Sequence, residues 1–144
     1  MQHQKQSLCQ LYRMNSDNIR RRVDFAGLTP SYVRSLASLA NWGKRYVPRI
    51  AKEFYDFQFS FPESRRFFEE YAKKRGVSLD ELRNTLEKAQ TRYLTSIFEA
   101  AANNDFGTAY FENRLFVGQV HNKIDLPPKW YIGSYPLFFS LFRR

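Results

Sequence analysis

Val120-His121-Asn122-Lys123-Ile124-Asp125-Leu126-Pro127-Pro128-Lys129-Trp130-Tyr131-Ile132-Gly133-Ser134-Tyr135 is the stretch on which the fold turns. A histidine stands near the end of a helical pattern, a double proline stops that helix, and an aromatic-rich segment follows at once. Proline has no amide proton and clashes with the preceding turn, so it ends one helix and readily begins the next. Val117 and Gly118 lie one turn before His121, and Ile124 one turn after it. They put small and apolar groups on the face of the imidazole, which suits a flat macrocycle pressed against the helix. A lone neutral imidazole on such a face is what a haem iron needs as its proximal ligand. The only other histidine of the chain is His3, in a polar N-terminal stretch, so a haem held by a histidine of the folded part selects His121. A lone histidine without such a setting is more often a satisfied core or surface residue; the apolar face and the abrupt stop after it reverse that preference.

Outward from this stretch the pattern is helical throughout. Residues 1–15 are polar and glutamine-rich and read as a disordered lead, leaving residues 16–144 as one domain. A short basic helix is expected over Asp17 to Phe25, closed by Gly27. Thr29-Pro30 is a helix start, with threonine as N-cap and proline in the first turn. Asn41-Trp42-Gly43 reads as a break. The next helix, about Lys44 to Ser60, has Val47, Ile50, Ala51, Phe54 and Phe57 or Gln58 as its inner stripe, and Pro48 should kink it or mark its true start. Pro62 opens a helix ending at Gly76. Ser78 and Glu81 form a capping box for the clearest helix, on which Leu79, Leu82, Leu86, Ala89, Tyr93 and Ile97 recur at spacings of three and four. A helix from about Phe106 to Ile124 carries His121, and a last one begins at Pro127-Pro128. No segment alternates as a strand would. The fold class is all-α, with unequal helices and short connections that fit globin-like packing better than four equal bundle helices.

Composition narrows the function classes. The 144 residues include 17% aromatics, with 14 Phe and 9 Tyr, a surplus that an aromatic-lined pocket for a large flat ligand would use. One cysteine, Cys9, excludes an internal disulfide and cysteine-rich zinc or iron–sulfur sites; it reads as a bystander in a cytoplasmic protein. No run approaches the roughly 18 apolar residues of a membrane span, and the N-terminus has no signal-peptide core, so no membrane partner is expected. The net charge of +9 invites a nucleic-acid partner, but Lys and Arg are spread along the chain, the tightest cluster being Arg20-Arg21-Arg22, and solvated helix faces with no nucleic acid are the expectation. There is no glycine-rich phosphate loop, paired-carboxylate phrase or nucleophile motif, so the chain is not read as an enzyme.

The phrase Val120-His121 through Ile124, Leu126-Pro127, Lys129-Trp130-Tyr131 resembles the proximal stretch of the globin-coupled sensors, bacterial haem-based gas sensors. The resemblance runs from about Phe25 to Phe142 and is strongest over 117–135. It implies a globin-like domain with haem b (iron protoporphyrin IX), His121 as proximal ligand, and O2, or CO or NO, as the gas. In Glu53-Phe54-Tyr55-Asp56 it implies that the Tyr55 hydroxyl donates to bound oxygen. It puts the apolar distal leucine at Leu86, and at Ala89 a departure, since some aerotaxis transducers carry threonine there. Gln90 fits either as a donor to the ligand or as a solvent-facing amide. Tyr131, ten residues after His121, fits either a hydrogen bond near the proximal histidine or plain aromatic packing.

Members of that family close the domain with two long antiparallel helices that form a homodimer interface. This chain ends within the apolar Leu137-Phe138-Phe139-Ser140-Leu141-Phe142, so the resemblance implies a missing last helix and an output module, such as a cyclase, transducer or kinase, outside it. Two other functions share this fold: a haem-free signalling module, which His121 opposes, and a protoglobin-like haem protein with oxygen chemistry, which would use the same ligands.

Overall fold

Capping chemistry sets most of the helix boundaries. The computed structural model describes residues 6–143, and among them every regular element is helical: α1 (Leu8–Leu11), α2 (Ser16–Phe25), α3 (Pro30–Ser38), α4 (Ala40–Ser60), α5 (Pro62–Arg75), α6 (Leu79–Ala102), α7 (Thr108–Lys123), α8 (Pro128–Ile132) and α9 (Tyr135–Phe142). Asn15 accepts a hydrogen bond from the Asn18 amide at 2.9 Å to start α2, and Thr29 one from the Tyr32 amide at 3.3 Å to start α3. At α6 the capping box is complete: the Ser78 amide donates to the Glu81 carboxylate at 2.8 Å, and the Glu81 amide to Ser78 Oγ at 3.1 Å. α5 ends on Gly76 at φ +66°, a left-handed conformation that glycine adopts without a Cβ penalty.

The chain divides into two compact units, Met1–Ala40 with Ile97–Asp125 and Asn41–Ser96 with Leu126–Arg144. In the first, α1 and α2 lie against α7. Cys9, Met14 and Ile19 are buried there, with Val23, Phe111 and Leu115 packed on them. In the second, the inner stripe of α4 is the core: Val47, Ile50, Ala51, Phe54, Tyr55 and Gln58 are all buried. Aromatic rings surround it. Phe54 stacks on Phe138 of α9 at 4.4 Å between centroids, Phe59 stacks on Phe68 of α5 at 5.0 Å, and Trp42 meets Phe142 at 5.9 Å. This is where much of the aromatic surplus goes.

The structure corrects four expectations. Residues 7–14 are not a disordered lead: Ser7 caps α1, and Cys9 and Met14 are only 7% and 4% exposed. Residues 1–5, with His3, lie outside the described residues. Cys9 is no bystander. Its Sγ donates to the Thr108 carbonyl at 3.4 Å, and burial first, then the neighbouring Glu112 carboxylate, push its thiol up and keep it protonated. The helix break falls at Leu39, not at Asn41–Gly43, and α4 runs from Ala40 through Pro48 to Ser60. Pro48 is tolerated within it on an exposed position. Finally, the segment after Pro127-Pro128 is two helices, parted at Gly133-Ser134.

Pro136 in the first turn of α9 has no amide proton with which to continue α8, so the helix breaks before it, and a buried polar bridge lies at the junction. Gln58 donates from Nε2 to Ser134 Oγ at 2.8 Å and accepts at Oε1 from Ser64 Oγ at 3.0 Å; Ser134 Oγ in turn donates to the Trp130 carbonyl. The three side chains are 7%, 3% and 2% exposed, so water cannot replace the missing partner if one is removed. Gln58→Leu should therefore lower the stability of the protein by roughly 1–3 kcal/mol in a urea melt, although the substitution is apolar and near in size; unchanged stability would show that the bridge contributes nothing.

Candidate functional site

His121 lies in the last turn of α7, which ends at Lys123. The chain then turns through Asp125, at φ +52°, to Pro127, the N-cap of α8. The imidazole is half-buried, and burial holds its protonation below the usual histidine range, so at neutral pH the uncharged ring predominates. Val117, Val120 and Ile124 beside it on the helix are half-buried too. Gly118 is exposed, and a Cβ added there would meet no atom within 4 Å, so there is room against the helix backbone on that side. Among the described residues no three His, Cys, Asp or Glu side chains gather into a metal-holding group.

Tyr55 is set by α4. It is 7% exposed, and its ring makes edge contacts with Phe54 at 5.1 Å, Phe59 at 6.3 Å and Phe68 at 6.2 Å. Burial first, and the Glu87 carboxylate of α6 second, push its phenol up. The hydroxyl therefore keeps its proton at every physiological pH and remains a donor. The same pair of helices is tied next door: Arg83 of α6 pairs with Asp56 of α4 and, at 2.8 Å, with Glu87, and Lys52 pairs with Asp56 at 2.8 Å. Of the three, only Arg83–Asp56 crosses from α6 to α4; the other two lie within one helix.

On α6, Leu86 and Gln90 are half-buried while Ala89 is exposed, so the apolar stripe predicted along this helix is not continuous at Ala89. Tyr131 of α8 is 38% exposed. The predicted residues thus form two groups. Val117, Gly118 and His121 share one helix of the first unit; Tyr55, Leu86, Ala89, Gln90 and Tyr131 belong to the second.

The family model of protoglobin matches residues 15–143. The chain belongs to the protoglobin family. No curated protein and no solved structure matches it. Membership makes it a haem globin domain that binds diatomic gases, and the all-α architecture agrees with a globin fold. The residues around His121 fit the cofactor. A porphyrin brings four nitrogens to its iron, so one neutral imidazole suffices where a bare metal ion would need several side chains. The open side at Gly118 and the half-buried apolar neighbours suit a flat ring.

Sequence reasoning missed Glu112, Ser64 and Ser134. Glu112 accepts from the Leu8 and Cys9 amides, and its signal is invisible in sequence because the partners lie more than a hundred residues away. Gln58 was visible only as one of two choices at the edge of the inner stripe.

Asp56 gives a pH prediction. The hydrogen bond from Lys52, then that from Arg83, hold its carboxyl below the ordinary aspartate value of 3.8. The unfolded chain takes up that proton near 3.8 and the folded chain only at lower pH, so the stabilisation is complete above 3.8 and lost as pH falls through the folded value. Wild type should exceed Asp56→Asn in stability at pH 6, and the gap should close in acid; a gap that is constant with pH would dissociate Asp56 from this ion-pair set.

Proposed function

We propose that this chain is an oxygen-sensing haem domain in which His121 is the proximal ligand of haem b and Tyr55 the distal donor to bound oxygen. The carrying observation is the half-buried, neutral imidazole of His121 at the end of α7, in a chain of a haem-binding family. Ferrous haem, when bound, supplies the open coordination position at which O2, CO or NO binds. What the chain's own residues do is separable. His121 donates its lone pair. Val117 and Gly118 leave room for the ring edge-on to the helix. Tyr55 offers an O–H that burial keeps protonated, and bound dioxygen, which carries partial negative charge, is the gas that gains most from such a donor. Leu86 restricts water, Gln90 offers an amide, and Ala89 adds no hydroxyl. Tyr131 is assigned to the surroundings of the proximal side.

The signal is a displacement of His121 and α7, which lead through Pro127-Pro128 directly into α8. Ile132, Tyr135 and Phe139 of α8 and α9 are 58%, 58% and 63% exposed, an apolar row that supports homodimer contact through the C-terminal helices. The chain itself is read as a sensor and not as an enzyme, with output in a further module or a partner. A cytoplasmic location goes with its single protonated cysteine; no helix among the described residues is long and apolar enough to cross a membrane.

Haemin titration of purified protein tests the ligand. Wild type should give a sharp Soret band at one haem per chain and a stable oxy spectrum, and His121→Ala should lose it; a normal Soret band in His121→Ala would sink the assignment. Tyr55→Phe should raise the oxygen dissociation rate on the order of tenfold, since a donor to a charged acceptor contributes about 1.5–3 kcal/mol. An unchanged rate would remove Tyr55 from the distal side.

A further inference from the structure

α7 is a poorly anchored helix for one that carries a candidate metal ligand. None of its residues is fully buried. What holds it within the first unit is the N-terminal segment. Glu112 accepts from the Leu8 amide at 2.7 Å and from the Cys9 amide at 2.6 Å, one bond to each carboxylate oxygen. Cys9 Sγ adds the bond to the Thr108 carbonyl at 3.4 Å. Phe111 and Leu115 pack on buried Cys9, Met14 and Ile19. Thr108, Phe111, Glu112 and Leu115 follow helical spacing and form one face. Glu112 precedes His121 by nine residues, about two and a half turns, so Glu112 stands opposite the imidazole and Thr108, Leu115 and Phe111 lie between the two sides. α1 and the start of α2 thus brace α7 from behind.

We infer that Glu112 is a positioning residue: by clamping residues 8–14 onto the rear of α7 it fixes where the helix, and with it His121, stands. The clamp is charge-assisted at both oxygens, and such bonds are short, directional and stronger than neutral ones. Its partners are backbone amides of the first turn of α1, which have no other acceptor within that helix. Loss of the carboxylate frees the first turn and loosens the apolar cluster against α7. The inference rests on the assignment of His121 for its consequence at haem, but not for the bracing itself.

The two are read by separate measurements on the full chain. In haem-free protein, Glu112→Ala should speed amide hydrogen exchange over Val117–Lys123 on the order of fivefold or more, with Leu8 and Cys9 amides exchanging faster still. Glu112→Gln, which keeps one acceptor oxygen, should recover part of the protection. In haem-loaded protein, Glu112→Ala should lose haem to apomyoglobin on the order of fivefold faster and broaden or shift the ferrous iron–histidine stretching band. A merely structural loss of stability would lower the melting temperature without moving that band. Freed Leu8 and Cys9 amides with unchanged exchange at Val117–Lys123 would overturn the inference. Faster exchange there with an unmoved iron–histidine band and unmoved haem loss would confine the clamp to bracing and overturn its positioning of His121. Should Glu112→Ala not fold, Met14→Ala, which removes the apolar half of the brace and leaves the carboxylate, replaces it with the same expected outcomes. Failure of the ligand assignment is distinct: it would show as a normal Soret band in His121→Ala, whatever Glu112 does.

Discussion

The second unit depends on one helix having to bury an amide. α4 turns Val47, Ile50, Ala51, Phe54 and Tyr55 inward, and Gln58 comes at the end of the same stripe. An unpaired carboxamide in that environment is costly, so its neighbours are chosen for it: Ser64 at the start of α5 and Ser134 between α8 and α9. One side chain thereby ties three parts of the chain at the Gly133-Ser134 junction. The break turns α9 so that Phe138 stacks on Phe54. The apolar contacts supply the drive for burial, and the polar bridge selects one arrangement among the many that an aromatic-rich core would tolerate.

Tyr55 inherits its role from this stripe. A phenol enclosed by Phe54, Phe59 and Phe68 and faced by a carboxylate cannot ionise. Nearby, one partly exposed pair, Arg83–Asp56, links α6 to α4, while Arg83–Glu87 lies within α6, and such pairs contribute little each. His121 is tuned by the same physics with opposite consequence: burial disfavours the imidazolium and favours the neutral ring. One low-dielectric principle thus keeps a proton on the tyrosine and off the histidine.

Local chemistry was legible in the sequence where it is enforced by backbone geometry. Thr29-Pro30, Pro62, the Ser78–Glu81 box, Gly76 and Pro127-Pro128 each act within four residues, and each sits at a helix end in the structure. The apolar periodicity of α4 predicted its buried face, and the all-α class followed from period alone. His121 and its apolar neighbours were identified because their spacing repeats along one helix. Wrong or unseen features have a common cause. Polar, glutamine-rich residues 7–14 read as disordered because the carboxylate and the apolar cluster that hold them come from α7, about a hundred residues on. Cys9 read as idle for the same reason. Ala89 read as part of an inner stripe because periodicity counts residue types and does not see which neighbours arrive.

The sequence by itself determined the helical class and most helix boundaries, and it singled out His121 and Tyr55 as candidates. Tertiary structure alone decided which polar groups are buried and paired, and that the N-terminal segment braces α7. The division is physical. Capping, proline geometry and periodicity are interactions among residues a few positions apart. Burial, desolvation and long-range hydrogen bonds exist only after distant segments have met.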